Sequence, residues 1–267
     1  MAIAGTTVTP EVRASMGVFI GVCALLFAAS ATATVMLHDS MSAMGSMPMP
    51  GGWTMSMAWM RMCGQTWAGA AASFVGMWVV MMAAMMLPSL APMLWGYHVA
   101  VGATVGLGRL TTLAGMAYFV VWTALGLAVF ASGAALAALA MRWPALARAV
   151  PLLAGLAVLV AGALQFTAWK ARQLACCRHS PACTLAADAG TAWRYGLRLG
   201  LHCSYCCAGM TAILLAVGVM DLRAMAVITA AITAERLASD AERVAKAIGV
   251  LASISGVLML AQAVGLA

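Results

Sequence analysis

The sequence predicts an all-α fold, a polytopic transmembrane helical bundle of six or seven spans, and three observations carry that expectation. Of the 267 residues, 65% are hydrophobic and 8% are charged. The mean hydropathy is +1.01. A soluble globular domain carries charge on about a quarter of its residues, so that class is excluded. The apolar residues are also gathered between charged clusters, in stretches that mostly reach the roughly 20 residues one helical crossing needs.

In order the stretches are Ser15–Leu37, Ala70–Tyr97, Leu110–Met141, Ala145–Ala168, Arg194–Met220, Leu222–Leu237 and Ala245–Leu266. The sixth is short, which keeps six spans open, and the third is long enough to tilt or to carry an extramembrane turn. Arg13 and the small residues Ser30-Ala31-Thr32-Ala33 also fit a cleaved signal peptide. The apolar run continues to Leu37, however, so the expectation is an uncleaved anchor. Residues 1–69 then form a membrane anchor with an external methionine-rich loop. Residues 70–267 form a helical membrane domain with a Cys/His-rich cytoplasmic loop at 170–207.

Counting basic residues in alternate loops sets the orientation. With a cytoplasmic N-terminus the inner side holds Arg13, Arg109, Lys170, Arg172, Arg178, Arg194, Arg198, Arg236, Arg243 and Lys246, against Arg61, Arg142, Arg148 and Arg223 outside. The net charge of +7 is thus explained by topology and contact with anionic membrane lipid. No basic stripe interleaved with aromatics points to nucleic acid. Arg142, Trp143 and Arg148 read as interfacial anchors, while Asp221 and Glu235 read as marking the ends of the sixth stretch.

The outer loop, His38 to Trp67, is rich in Met, Gly, Ser and Pro, with Met41, Met44, Met47, Met49, Met55, Met57, Met60 and Met62. Such a loop has little drive to build a core. Thioethers are soft ligands that bind Cu(I) without losing a proton, and they do not form disulfides in an oxidising compartment. His38 and Cys63 are further donors there. A flap lying in the membrane interface is the plainer reading. In the second stretch Met77, Met81 and Met85 recur at i, i+4, i+8, which makes a methionine-lined helix face or simple packing filler. Pro88 and Pro92 follow and predict a break, with Met93 and His98 beyond it.

The densest signal is His202-Cys203-Ser204-Tyr205-Cys206-Cys207, read as the head of a membrane helix. At about 100° per residue, His202, Cys206, Met210, Cys203 and Cys207 project at roughly 0°, 40°, 80°, 100° and 140°, inside one arc. These donors suit Cu(I) or Zn(II) far better than Mg(II) or Ca(II). Upstream lie Cys176, Cys177, His179 and Cys183, placed in the reducing cytoplasm, where metal or redox work is expected of thiols rather than a structural disulfide. No P-loop, dinucleotide fingerprint, nucleophile elbow, HExxH or EF-hand pattern occurs.

The run Met81-Met82-Ala83-Ala84-Met85-Met86-Leu87-Pro88, the segment Leu164 to Lys170 before Cys177-Arg178-His179-Ser180-Pro181, and Gly200 to Cys207 with Gly218-Val219-Met220 together resemble a bacterial family of uncharacterised integral membrane proteins. That family is described as predicted metal-binding and copper-chaperone-like. The resemblance spans roughly residues 70 to 240, and implies metal binding, with copper the expected ion. His179 and the adjacent Cys176 depart from the pattern of its Cys-Arg-Ser-Pro-like patch.

Three functions follow as expectations. The first is a non-enzymatic copper-binding protein of the bacterial inner membrane that captures Cu(I) and supplies a membrane cuproenzyme or serves copper homeostasis. The second is a membrane thiol–disulfide oxidoreductase using Cys203 and Cys206 at a helix N-terminus. The third is an accessory subunit of a membrane complex with a structural zinc site.

Overall fold

The computed structural model describes residues 10–43, 45–62, 64–102, 106–178 and 186–265. Among them are eight α-helices and one two-stranded hairpin. Helix α1 is Pro10–Ala43, and the short strands β1 (Ser46–Pro48) and β2 (Thr54–Ser56) pair antiparallel with Met47 opposite Met55. A 3-10 turn, Met57–Trp59, leads to α2 (Trp67–Val101) and α3 (Leu107–Arg142). Then come α4 (Pro144–Leu164), α5 (Ala168–Arg178), α6 (Ala189–Val217), α7 (Leu222–Leu237) and α8 (Ala241–Ala263). Six of these, α1, α2, α3, α4, α6 and α8, are long and apolar enough to cross a membrane, the make-up of a multi-pass membrane protein.

The remaining pair refines the expected spans. Helix α7 has 16 residues, about 24 Å of rise, which falls short of the roughly 30 Å hydrocarbon layer. Its direction follows from its neighbours. Gly155 of α4 faces Leu260 of α8 and Gly162 faces Ser253, so these helices are antiparallel. Ala114 lies beside Gly196, and Tyr118 lies beside Gly200 and Cys203, so α3 and α6 are parallel. Since α4 doubles back from α3 after Trp143, α6 and α8 run the same way, and α7 must return the chain between them. The start of α1, the facing ends of α2 and α3 at Gly102 and Gly106, the junction of α4 with α5, the start of α6 and the turn at 238–240 therefore share one end of the bundle. The hairpin region and the connections at 142–144 and 218–221 share the other.

Small residues make the close helix pairs, as expected where lipid removes any solvent drive for association. A Cβ at Gly162 would stand 2.7 Å from the Ser253 nitrogen, and one at Gly256 2.6 Å from that of Leu159. Helix α2 is the most enclosed element, with Trp78 donating from Nε1 to the Trp122 carbonyl at 3.0 Å.

Three helix limits differ from the hydropathy reading. Helix α1 runs six residues past Leu37, and α2 continues unbroken through Pro88 and Pro92 to Val101. Helix α6 begins at Ala189, where Asp188 caps it by accepting from the Thr191 backbone N–H (2.9 Å) and hydroxyl (2.6 Å). The Thr191 hydroxyl is the first cause holding the Asp188 carboxyl below its usual pKa, followed by the backbone N–H of Thr191.

Candidate metal centre

Because α6 starts at Ala189, Cys203 to Cys207 lie in its middle and not at its head. Apolar content begins later than the helix does, since the first turns carry Arg194 and Arg198. The three thiols are buried, with exposures of 0% for Cys203 and 2% each for Cys206 and Cys207. Cys207 is in hydrogen-bonding contact with both other thiols. All three are free cysteines. Met210, one turn on, is also buried and belongs to the same packed cluster as Cys203 and Cys207.

His202 is exposed, unlike the thiols. The predicted arc is about 140° wide, and only the part from Cys206 to Cys207 turns inward; His202 sits on its outer edge. Among the described residues, no group of three or more His, Cys, Asp and Glu side chains is arranged to hold a metal ion. The donors brought together are sulfur alone.

Four partners of the thiols escaped sequence reasoning. Tyr118 of α3 is fully buried, with its hydroxyl 2.8 Å from Cys203 Sγ. Arg236 of α7 donates from Nη2 to Cys207 Sγ at 3.4 Å and from Nη1 to Ser89 Oγ of α2 at 3.2 Å. Lys170 of α5, counted above among the inner-side basic residues, is buried and donates to the Cys206 carbonyl at 2.8 Å and to Glu235 Oε2 at 2.7 Å. Glu235 is 2% exposed, so it is an interior ion-pair partner and not a helix-end marker. Asp221 does mark an end, capping α7 through the Ala224 N–H. Charged groups this deep in an apolar bundle are costly and point to function.

The formal charges of Lys170, Arg236 and Glu235 leave a surplus of one positive charge around the sulfurs. A Cu(I) ion held by two thiolates carries one negative charge, so this surroundings would neutralise it. Zinc sites are almost always four-coordinate with nitrogen, sulfur or carboxylate ligands. Here the nearest imidazole points away and the nearest carboxylate is bound to Lys170. Soft sulfur-only surroundings favour Cu(I).

The methionine face of α2 lies in the same packed interior as the thiols. Met77, Met81 and Met85, with Met82 and Met86, are buried and join Cys203, Cys207 and Met210 in one continuous cluster. Ser89, one turn beyond Met85, reaches Cys207 through Arg236. The outer methionines divide. Met49 packs with Met55 against Ala137, Ala140 and Ala147 as ordinary core, and Met47 is exposed. Met41 lines a small cavity at the hairpin end of the bundle. His38 Nδ1 lies 2.6 Å from the Met220 carbonyl, a contact that fixes the ring and turns its Nε2 away from that carbonyl. Cys176 and Cys177 fall in the last turn of α5, while Met44, Cys63, His179 and Cys183 lie outside the described residues.

Fold and site together define a helical bundle with a buried all-sulfur cluster inside its apolar core. Residues 75–259 match the PpoB2 family, described as copper chaperones, and since this is well over half of the chain, the protein belongs to that family. The match begins within α2, so α1 and the hairpin stand outside it. No curated protein and no solved structure matches the chain.

Proposed function

We propose that this chain collects Cu(I) on its methionine-rich outer side, passes it along the buried methionine face of α2 and holds it at Cys203, Cys206 and Cys207. From there it supplies a membrane cuproenzyme or copper homeostasis. One observation carries the reading: three buried thiols, Cys207 in contact with each of the other two, have no imidazole or uncommitted carboxylate beside them among the described residues, and Cys203 and Cys207 share a packed interior with the buried thioethers of α2. Steps from Met77 to Met81 to Met85 are each about 6 Å along the helix, short enough for an ion to pass between sulfurs without leaving soft ligands. The protein binds and delivers and is not an enzyme in this reading. Its likeness to a copper-chaperone family supports it. The oxidoreductase reading loses its main support, because the thiols lie mid-helix, away from the free N–H groups of the terminus. Quantifying copper and zinc together in detergent-purified protein tests the reading. Stoichiometric copper with trace zinc is expected; zinc in place of copper would favour a structural zinc site.

The location follows from charge. Of the ten Lys and Arg residues counted above for the inner side, Lys170 and Arg236 are interior, and the remaining eight fall toward the N-terminal end of the bundle against four at the hairpin end, which supports a cytoplasmic N-terminus. Thiol donors then face the reducing compartment and thioethers the oxidising one. In a chain freed of other cysteines, a membrane-impermeant thiol probe added to intact cells should label Ser46→Cys and should not label a lone Cys183. Labelling of Cys183 from outside would invert the topology.

A further inference from the structure

The outer methionines do more than fill space. Where they pack, they pack like any core: Met49 and Met55 close against alanines of α3 and α4. Four others, with Met77 of α2, instead line an open cavity of about 250 Å³ between the end of α1, the start of α2 and the segment joining them. The four are Met41, Met57, Met60 and Met62. Met62 stands at the mouth, 43% exposed, and Met77 is buried at 7%. Met77 is also the first member of the buried methionine row leading to the thiols.

We propose that this cavity is a thioether site for Cu(I), the point at which the ion first leaves water. The reading deepens the copper function proposed above and rests on it for the identity of the cargo. Among the described residues no carboxylate and no imidazole lines the cavity; its polar side chains are neutral, and Gln65 is already tied to Ser73 at 3.3 Å and to the Met62 N–H at 3.4 Å. Hard divalent ions need oxygen donors and are excluded, whereas a soft monovalent ion finds several sulfurs. Since thioethers carry no charge, the site holds Cu(I) less tightly than the thiolates deeper in, which sets the direction of transfer. Four of the five methionines precede the matched residues 75–259, and Met77 lies within them.

The test uses the full chain with Cys203, Cys206 and Cys207 changed to Ser, titrated with Cu(I) against a chromogenic Cu(I) chelator. A weak Cu(I) equivalent is expected to remain. Adding Met41→Leu, Met57→Leu, Met60→Leu and Met62→Leu, which keep apolar volume, should abolish it, while Met49→Leu with Met55→Leu should leave it intact. No residual equivalent, its survival in the fourfold variant, or its loss in the control pair would each overturn the cavity site. If the parent chain still retains copper on its thiols, only the cavity falls; if the parent retains none, the copper reading itself falls.

Discussion

Changing Cys203, Cys206 and Cys207 together to Ser should abolish the tightly held Cu(I) that survives purification, leaving only the weak equivalent seen on titration, while the protein remains inserted and folded. Serine keeps the shape and a hydrogen-bonding group, so Tyr118 and Arg236 still have partners at the positions of Cys203 and Cys207. What it removes is the soft, ionisable sulfur, and hydroxyl oxygen has little affinity for a soft monovalent ion. Among single changes, Cys207→Ser should do most harm, because Cys207 touches both other thiols and Arg236. Cys23→Ser, in α1 and remote from the cluster, should change nothing. Copper analysis of the purified variants decides it, and unchanged copper content in the triple variant would refute the site.

How much of this was legible in the sequence depends on the range of the interaction. The spans were legible because each is decided by its own composition, and so was the inward grouping of Cys203, Cys206, Cys207 and Met210, which needs only the helical period. The limits of α1 and α6 were not, because a helix continues past the point where its residues stop being apolar. The exposure of His202 was not legible, because periodicity gives an arc but not which edge of it turns inward. The partners of the thiols were invisible for a different reason. Tyr118 meets Cys203 across 85 residues of sequence, and Lys170 meets Glu235 across 65. Only packing creates such pairs. One signal was available: Glu235 and Arg236 interrupt an otherwise apolar stretch, and an ionisable residue in such a place asks for a partner.

That buried pair should dominate stability. Lys170 and Glu235 are 5% and 2% exposed at their side chains, and 2.7 Å apart. Lys170→Met leaves a carboxylate without its cation in an apolar interior, where Glu235 Oε1 already has no hydrogen-bond partner among the described residues. Breaking a buried pair from one side costs about 3–5 kcal/mol, because the remaining charge stays desolvated, whereas replacing both members with apolar residues is often neutral. Lys170→Met and Glu235→Leu should therefore each lower the thermal midpoint in detergent sharply, and the double variant should recover most of the loss. Copper separates structure from function here. Lys170 also anchors the Cys206 carbonyl, and the pair sets the charge beside the thiols, so the recovered double variant should still hold Cu(I) more weakly than the parent. A Lys170→Met chain as stable as the parent would show that the ion pair is not buried against α6 as described.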